Sequence, residues 1–338
     1  MLGYLYWNPK REIFTFLNLS IYWYSIFFII GFILGYYIFF YLLKKYFLNF
    51  PFVESDIKDF VLLKDKLKKN FFEKKNKEDK KNILKKINDR FFDKNNFKKR
   101  LIFENNFLGA IEGVKEKSRF IADKVCLYVV IATILGARLG HVIFYDFLFF
   151  VSHPLEIFKI WRGGLASHGG AICIIFFLFL LSKKIKKRYP LTFINFLDLI
   201  SVPAALVASL IRIGNFVNQE ILGKKTFFFL GVIFGALKED FPRHPVQLYE
   251  SLFYFFVFII LFYLSVKKNF FLKKGKLIGI FLVSVFSFRF LIEFLKIKQS
   301  FYLENSFFLM GQYLSIPFII LGLFFLYQSK RKSILPKS

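Results

Sequence analysis

The sequence predicts an all-α integral membrane protein of about seven transmembrane helices, N-terminus outside and C-terminus cytoplasmic. Three observations predict it. Of the 338 residues, 56% are hydrophobic and 53 are Phe. Several uncharged runs approach or exceed the ~18–20 apolar residues that span a bilayer as a helix. Lys-rich blocks follow alternate runs, a pattern that places those connections on the cytoplasmic side.

The first run, "IYWYSIFFIIGFILGYYIFFYLL" (21–43), is too long for a signal-peptide core. Lys44 and Lys45 follow it where a small-residue cleavage site would otherwise stand, so it should remain as a span. The other spans fall at approximately 123–145, 167–182, 193–211, 246–266, 277–295 and 307–327. Charge marks their ends. "KKIKKR" (183–188) follows the third, "KKNFFLKKGK" (267–276) the fifth and "KRK" (330–332) the seventh. The segments 146–166, 212–245 and 296–306 then share the outer side.

This divides the chain into an N-terminal segment with the first helix (1–49), a Lys-rich cytoplasmic insertion (50–120) and a transmembrane body (121–338) with an outer-face polar segment at 212–245. The insertion is dense in Lys, Asn and Phe and holds no span. "DIKDFVLLKDKLKKNFF" (56–72) reads as part of a solvated insertion, or alternatively as a basic amphipathic helix on the anionic inner leaflet. The chain shows no internal repeat.

The net charge of +27 does not imply nucleic-acid binding, because the Lys sit in blocks between apolar runs and no recognition motif accompanies them. Cys126 and Cys173 lie in apolar stretches as small hydrophobes and define no disulfide framework. The four His lack metal-ligand spacing, so neither a metal nor a cofactor is expected.

Arg is the scarcer cation, 11 residues against 39 Lys. Arg138, Arg212 and Arg289 nevertheless fall inside or at the ends of apolar spans, and Arg243 opens "RHPVQLYE". A guanidinium presents a planar fork matched to phosphate and keeps its charge at depth. An Arg at mid-membrane costs roughly 2.5–3.5 kcal/mol even on the lenient scale, so several imply a polar cavity, an anionic ligand or internal partners. Arg289 and Glu293, spaced i, i+4 in "FRFLIEFLK", should share a helix face. They make either a simple ion pair or a pair in which Glu293 holds Arg289 for an anion. His168 sits between two Gly pairs in "WRGGLASHGGAI" (161–172). Glycines permit close backbone approach, and imidazole suits proton transfer near neutral pH.

These stretches occur in one order: "YWYS" (22–25), "GARLGHVIFYDF" (136–147), "GGLASHGGAI" (163–172), "RIGNFVNQEILGK" (212–224), "RHPVQLYE" (243–250), "FRFLIEFLK" (288–296) and "MGQYLSIPFIILG" (310–322). Together they resemble the prolipoprotein diacylglyceryl transferase family over nearly the whole chain apart from the insertion. The 212–224 stretch is the most specific. The resemblance implies transfer of a diacylglyceryl group from phosphatidylglycerol to the lipobox cysteine thiol of a prolipoprotein, with release of glycerol 1-phosphate. It also implies a multi-pass enzyme of the bacterial inner (cytoplasmic) membrane. Family functional positions carry over to Tyr24, His168, Arg212, Asn215, Glu220, Gly223, Arg289 and Glu293. The chain departs from the family pattern at His141 and at Val285, where relatives carry Tyr, and in the 50–120 insertion.

The reaction suits these residues. The substrate supplies the thiol, and the phosphodiester gains a second charge on leaving, so groups that bind the developing charge lower the barrier. His168, Arg212, Arg289 and Glu293 are the expected catalytic residues, with His168 as base or hydrogen-bond donor. Tyr24, Arg138, Gly169, Gly170, Asn215, Asn218, Glu220, Gly223 and His244 are the expected substrate-binding residues. The competing class is a membrane transporter for an anionic or lipid substrate, whose buried charges would line a path.

Overall fold

In hydrocarbon, a backbone must satisfy its own N–H and C=O groups, so uncharged runs of this length fold as helices. A computed structural model describes residues 4–16, 19–49, 97–159, 163, 164, 166–186, 189, 191–297 and 308–331, and only the backbone at 16, 19, 48, 49, 97–113, 167 and 331. Among them, seven helices are long and apolar enough to cross a membrane. They lie in α1 (Trp23–Asn49), α2 (Phe97–Phe144), α4 (Ser167–Lys186), α5 (Phe193–Val217), α6 (Val246–Lys268), α7 (Lys276–Ile292) and α8 (Met310–Arg331). A short helix α3 (Phe147–Ser152) and a 3-10 turn (Pro154–Phe158) stand between α2 and α4. The expected seven spans are present. The pattern at 56–72 lies outside the described residues.

Two boundaries differ instructively from expectation. The helix expected at 193–211 continues to Val217, through Gly214 against which Tyr24 packs, so Arg212 and Asn215 are helical residues. It stops where Gln219 and Ile221 take φ values of 56° and 55°. The second span belongs to a 48-residue helix that starts at Phe97, inside the segment expected as insertion. Lys and Glu are good helix formers, so charge ends the apolar run without ending the helix.

The chain divides into two compact units, residues 1–42 with 125–338, and residues 43–124. In the smaller unit the Ser118 hydroxyl bonds back to Val114 O at 2.7 Å within its helix. In the larger unit α5 is the most enclosed of the seven candidate spans and packs on α4, α6 and α7. Phe196, Leu199, Val202 and Ala205 of α5 are fully buried. Ser209 of α5 and Ser251 of α6 meet hydroxyl to hydroxyl at 3.0 Å. The buried Asp198 accepts from Gly275 N–H at 2.7 Å and Ile278 N–H at 2.9 Å, which caps the N-terminus of α7 from a neighbouring helix. Helices α7 and α8 pack closely, with Phe286 stacked on Phe318.

Among the described residues, four short strands join the helices. β1 (Leu5–Trp7) pairs in parallel with β4 (Val232–Phe234), and β2 (Glu12–Phe16) forms an antiparallel hairpin with β3 (Leu19–Tyr22). Trp7 stacks on Phe216 at 4.8 Å and donates its indole N–H to Phe216 O. With Val232, Phe234 and Leu222 it builds a small apolar cluster over the end of α5. The N-terminal strand thereby holds the 218–234 segment against the helix carrying Arg212.

Candidate active site

The polar cluster begins inside α5. One helical turn separates Arg212 from Asn215, so the Arg212 Nη1 reaches Asn215 Oδ1 at 3.2 Å. The Asn215 amide donates to Glu220 Oε2, and Asn218 donates to Glu220 Oε1, both at 3.1 Å. Glu220 must turn back to accept both, and the left-handed residues on either side of it, Gln219 and Ile221, make that turn. A β-branched residue such as Ile221 takes positive φ only at an energetic cost, a type of strain that clusters at functional sites.

Behind Arg212 lies Glu250 of α6, with no solvent exposure. Its Oε2 is 3.1 Å from Arg212 Nε without hydrogen-bond alignment, so that contact is chiefly electrostatic. Its Oε1 accepts from Lys296 Nζ at 3.0 Å and from the Tyr254 hydroxyl at 3.3 Å. Lys296, itself buried, also meets Glu293 Oε2 at 3.1 Å. The expected Arg289–Glu293 pair is therefore not the one formed. After Ile292 the chain tightens into a 3-10 turn (Glu293–Leu295), in which residues three apart eclipse, so Glu293 faces Lys296. Arg289 makes no hydrogen bond or ion pair among the described residues, and it lies within electrostatic reach of Tyr254.

Gly223 fits between two neighbours. Its strand-like segment bridges to Lys296, Lys224 N–H donates to Leu295 O at 2.7 Å, and His244 N–H donates to Lys224 O at 3.0 Å. A side chain at Gly223 would drive a Cβ to within 2.7 Å of His244 Cβ. Gly223 thus sets how closely the Arg212, His244 and Lys296 segments approach. Desolvation lowers the His244 pKa below its ordinary 6.5, so it stands neutral at neutral pH, with Nδ1 3.4 Å from the Tyr249 hydroxyl. Arg243 is engaged by Glu239 at 2.8 Å through two nitrogens and by Gly223 O at 3.2 Å. Tyr24 of α1 packs against Gly214, one residue before Asn215.

His168 belongs to a second cluster at the start of α4. It is exposed, and its Nε2 is 2.9 Å from the Tyr145 hydroxyl. His141 stacks on Tyr145 at 5.6 Å and pairs with Asp146 at 2.9 Å. Arg138, Gly169 and Gly170, expected as substrate-binding, all have close protein neighbours here. Arg138 is buried and donates to the carbonyls of Glu156, Ile157 and Gly163 at 2.6–2.9 Å and, at longer range, of Lys159 and Gly164. Gly169 and Gly170 are buried against α2, where a Cβ on Gly169 would approach Gly140 Cα to 2.6 Å. Gly136 and Gly140 complete a small-residue contact of the kind that lets membrane helices meet closely. No hydrogen bond or ion pair among the described residues joins this cluster to the Arg212 cluster. No group of three or more metal-ligating side chains occurs among the described residues.

Glu250, Lys296 and Tyr145 were missed by the sequence reading. A signal existed: each is a polar residue within a singled-out motif, and Glu250 lies inside an apolar span, where an ionisable residue carries a functional presumption.

The family model described as prolipoprotein diacylglyceryl transferase matches residues 103–328. The phosphatidylglycerol–prolipoprotein diacylglyceryl transferase of Protochlamydia amoebophila (strain UWE25) is 42% identical over an alignment covering 95% of this chain and 94% of the relative. Proteins of the same name from Tolumonas auensis (40% identity, 60% of this chain, 76% of theirs) and Chloroherpeton thalassium (42%, 62% and 77%) are similar over the body of the chain.

Proposed function

Because the chain belongs to the prolipoprotein diacylglyceryl transferase family, we propose that it transfers the diacylglyceryl group of phosphatidylglycerol to the lipobox cysteine of prolipoproteins. It works in the bacterial inner membrane, N-terminus out and C-terminus in, with the 212–245 segment at the outer face. The observation that carries this reading is Arg212, a phosphate-matching fork held at the end of a span by the fully buried Glu250. Family membership sets the transporter alternative aside.

In the reaction the substrate thiol loses its proton, with His168 as the candidate base. The thiolate attacks the glyceryl carbon bonded to the phosphate oxygen. A sulfur–carbon bond forms as the carbon–oxygen bond breaks, and the electron pair leaves on glycerol 1-phosphate. A thiol of pKa ~8.5 is already a few per cent ionised at neutral pH, so the leaving group carries the larger demand. Arg212 and Arg289 bind its developing charge, where an oriented donor is worth ~2.7–4 kcal/mol. Glu250 fixes the Arg212 position before substrate arrives. Asn215, Asn218 and Glu220 orient the glycerol hydroxyls, with Tyr24, Gly223 and His244 framing the headgroup.

The test is reconstitution in phosphatidylglycerol vesicles with a lipobox peptide. Mass spectrometry should show the peptide gaining one diacylglyceryl group in step with glycerol 1-phosphate release, and a Cys→Ser peptide should stay unmodified. Absence of the thioether product with a folded, reconstituted protein would overturn the assignment.

A further inference from the structure

The connection between α2 and α4 presents an apolar exterior with a polar brace behind it. Leu148 and Val151 share a face of α3, and Leu155 and Phe158 share a face of the following 3-10 turn, by i, i+3 spacing. All four are exposed, Leu148 at 82% and Leu155 at 75%. Phe147, at the start of α3, extends the same exposed apolar surface. Soluble surfaces seldom show so contiguous an apolar patch unless something covers it.

The interior side says what covers it. In water, the carbonyls of an irregular segment find their own partners. Here Arg138, 6% exposed, directs Nε, Nη1 and Nη2 at five backbone oxygens between residues 156 and 164, the shortest contact being 2.6 Å. Its guanidinium also lies 5.0 Å from the Phe150 ring. Irregular backbone is tolerated at membrane depth only where protein satisfies it, and this brace does so. Two residues join α2 to α3, so the segment starts where a membrane-spanning helix ends. The occupant with an apolar interior that begins at that level is the lipid leaflet.

We propose that residues 147–158 are an in-plane membrane anchor, seated at the headgroup–acyl boundary with Phe147, Leu148, Val151, Leu155 and Phe158 among the lipids. Its entrance carries Tyr145 and Asp146, which bond His168 and His141, so the anchor fixes these groups at headgroup depth. The anchoring stands independently of the reaction assigned to the site.

Spin labels test it by depth. In a Cys126→Ser, Cys173→Ser background, Leu148→Cys and Leu155→Cys are labelled in proteoliposomes beside Ile260→Cys, an exposed mid-span site, and Asp240→Cys, an exposed loop site. Collisions with oxygen should exceed those with a water-soluble nickel complex at 148 and 155, as at 260, with the reverse at 240. Should labelling unfold the protein, Leu148→Trp in a background with Trp7, Trp23 and Trp161 replaced by Phe, quenched by lipids brominated on the acyl chain, reads the same depth. Nickel access at 148 and 155 equal to that at 240 overturns the proposal. So does protection from both reagents, which would mean that a protein partner covers the face.

Discussion

A carboxylate without solvent exposure persists in an apolar helix only where cations meet it, and Glu250 has Arg212 and Lys296. Removing one member of such a group leaves the others buried and uncompensated, at a cost of about 3–5 kcal/mol. Glu250→Gln, which keeps the shape and loses the charge, should lower the thermal midpoint and reduce transfer at least tenfold; unchanged values of both would deny Glu250 the role of brace. His168→Ala should lose turnover at pH 7 and recover part of it toward pH 9, where the substrate thiol ionises unaided. Equal impairment at both pH values would make His168 a positioning residue. At this scale the sequence disclosed the residues with unusual chemistry, an Arg where Lys is the habit and a His between glycines. Partners were legible only where they were local. Arg212–Asn215 follows from helix spacing, whereas Glu250 meets Arg212 through the packing of two helices. The Glu293–Lys296 pair was hidden because helix spacing offers Glu293 both Arg289 at i−4 and Lys296 at i+3, and only the tightened turn selects Lys296.

Among the elements, α5 shows how one helix serves both membrane and site. Its apolar side is enclosed by α4, α6 and α7, its last turn carries Arg212 and Asn215, and its Asp198 caps α7. Asp198→Ala would strand two N–H groups at the start of α7 in a buried position. With a buried donor left unsatisfied costing about 1–3 kcal/mol, it should depress thermal stability in detergent clearly below wild type. A wild-type melting profile would show that α7 needs no cap. Spans were readable from sequence because hydropathy is a local property sampled over many residues. Their ends were less so, since α5 runs on past Arg212 despite Gly214, and helix propensity carries α2 back into charged sequence. The β1–β4 pairing was invisible, because strands of three residues far apart in the chain carry no periodic signal.

The whole molecule joins a membrane-embedded body to a Lys-rich segment that was expected as an insertion foreign to the family; instead the alignment with the Protochlamydia amoebophila relative covers 95% of the chain and so takes in most of it, and the family model starts at residue 103. The proposed chemistry resides in residues 1–42 and 125–338. Replacing residues 56–112 by a flexible polar linker stops short of Val114, where the candidate span begins. Insertions in connecting segments are tolerated at low cost, so transfer activity should be retained. A folded, membrane-inserted deletion protein without activity would show that the insertion takes part. The claim that everything else depends on is that Arg212 grips phosphate with its fork, and its most direct test is the turnover of Arg212→Lys in phosphatidylglycerol vesicles with a lipobox peptide. Lys keeps the charge and loses the two-point geometry. The account predicts turnover reduced at least tenfold, about 1.4 kcal/mol or more of transition-state stabilisation, in a protein that remains folded and inserted. Wild-type turnover would contradict it and leave Arg212 as the counter-charge of Glu250 alone.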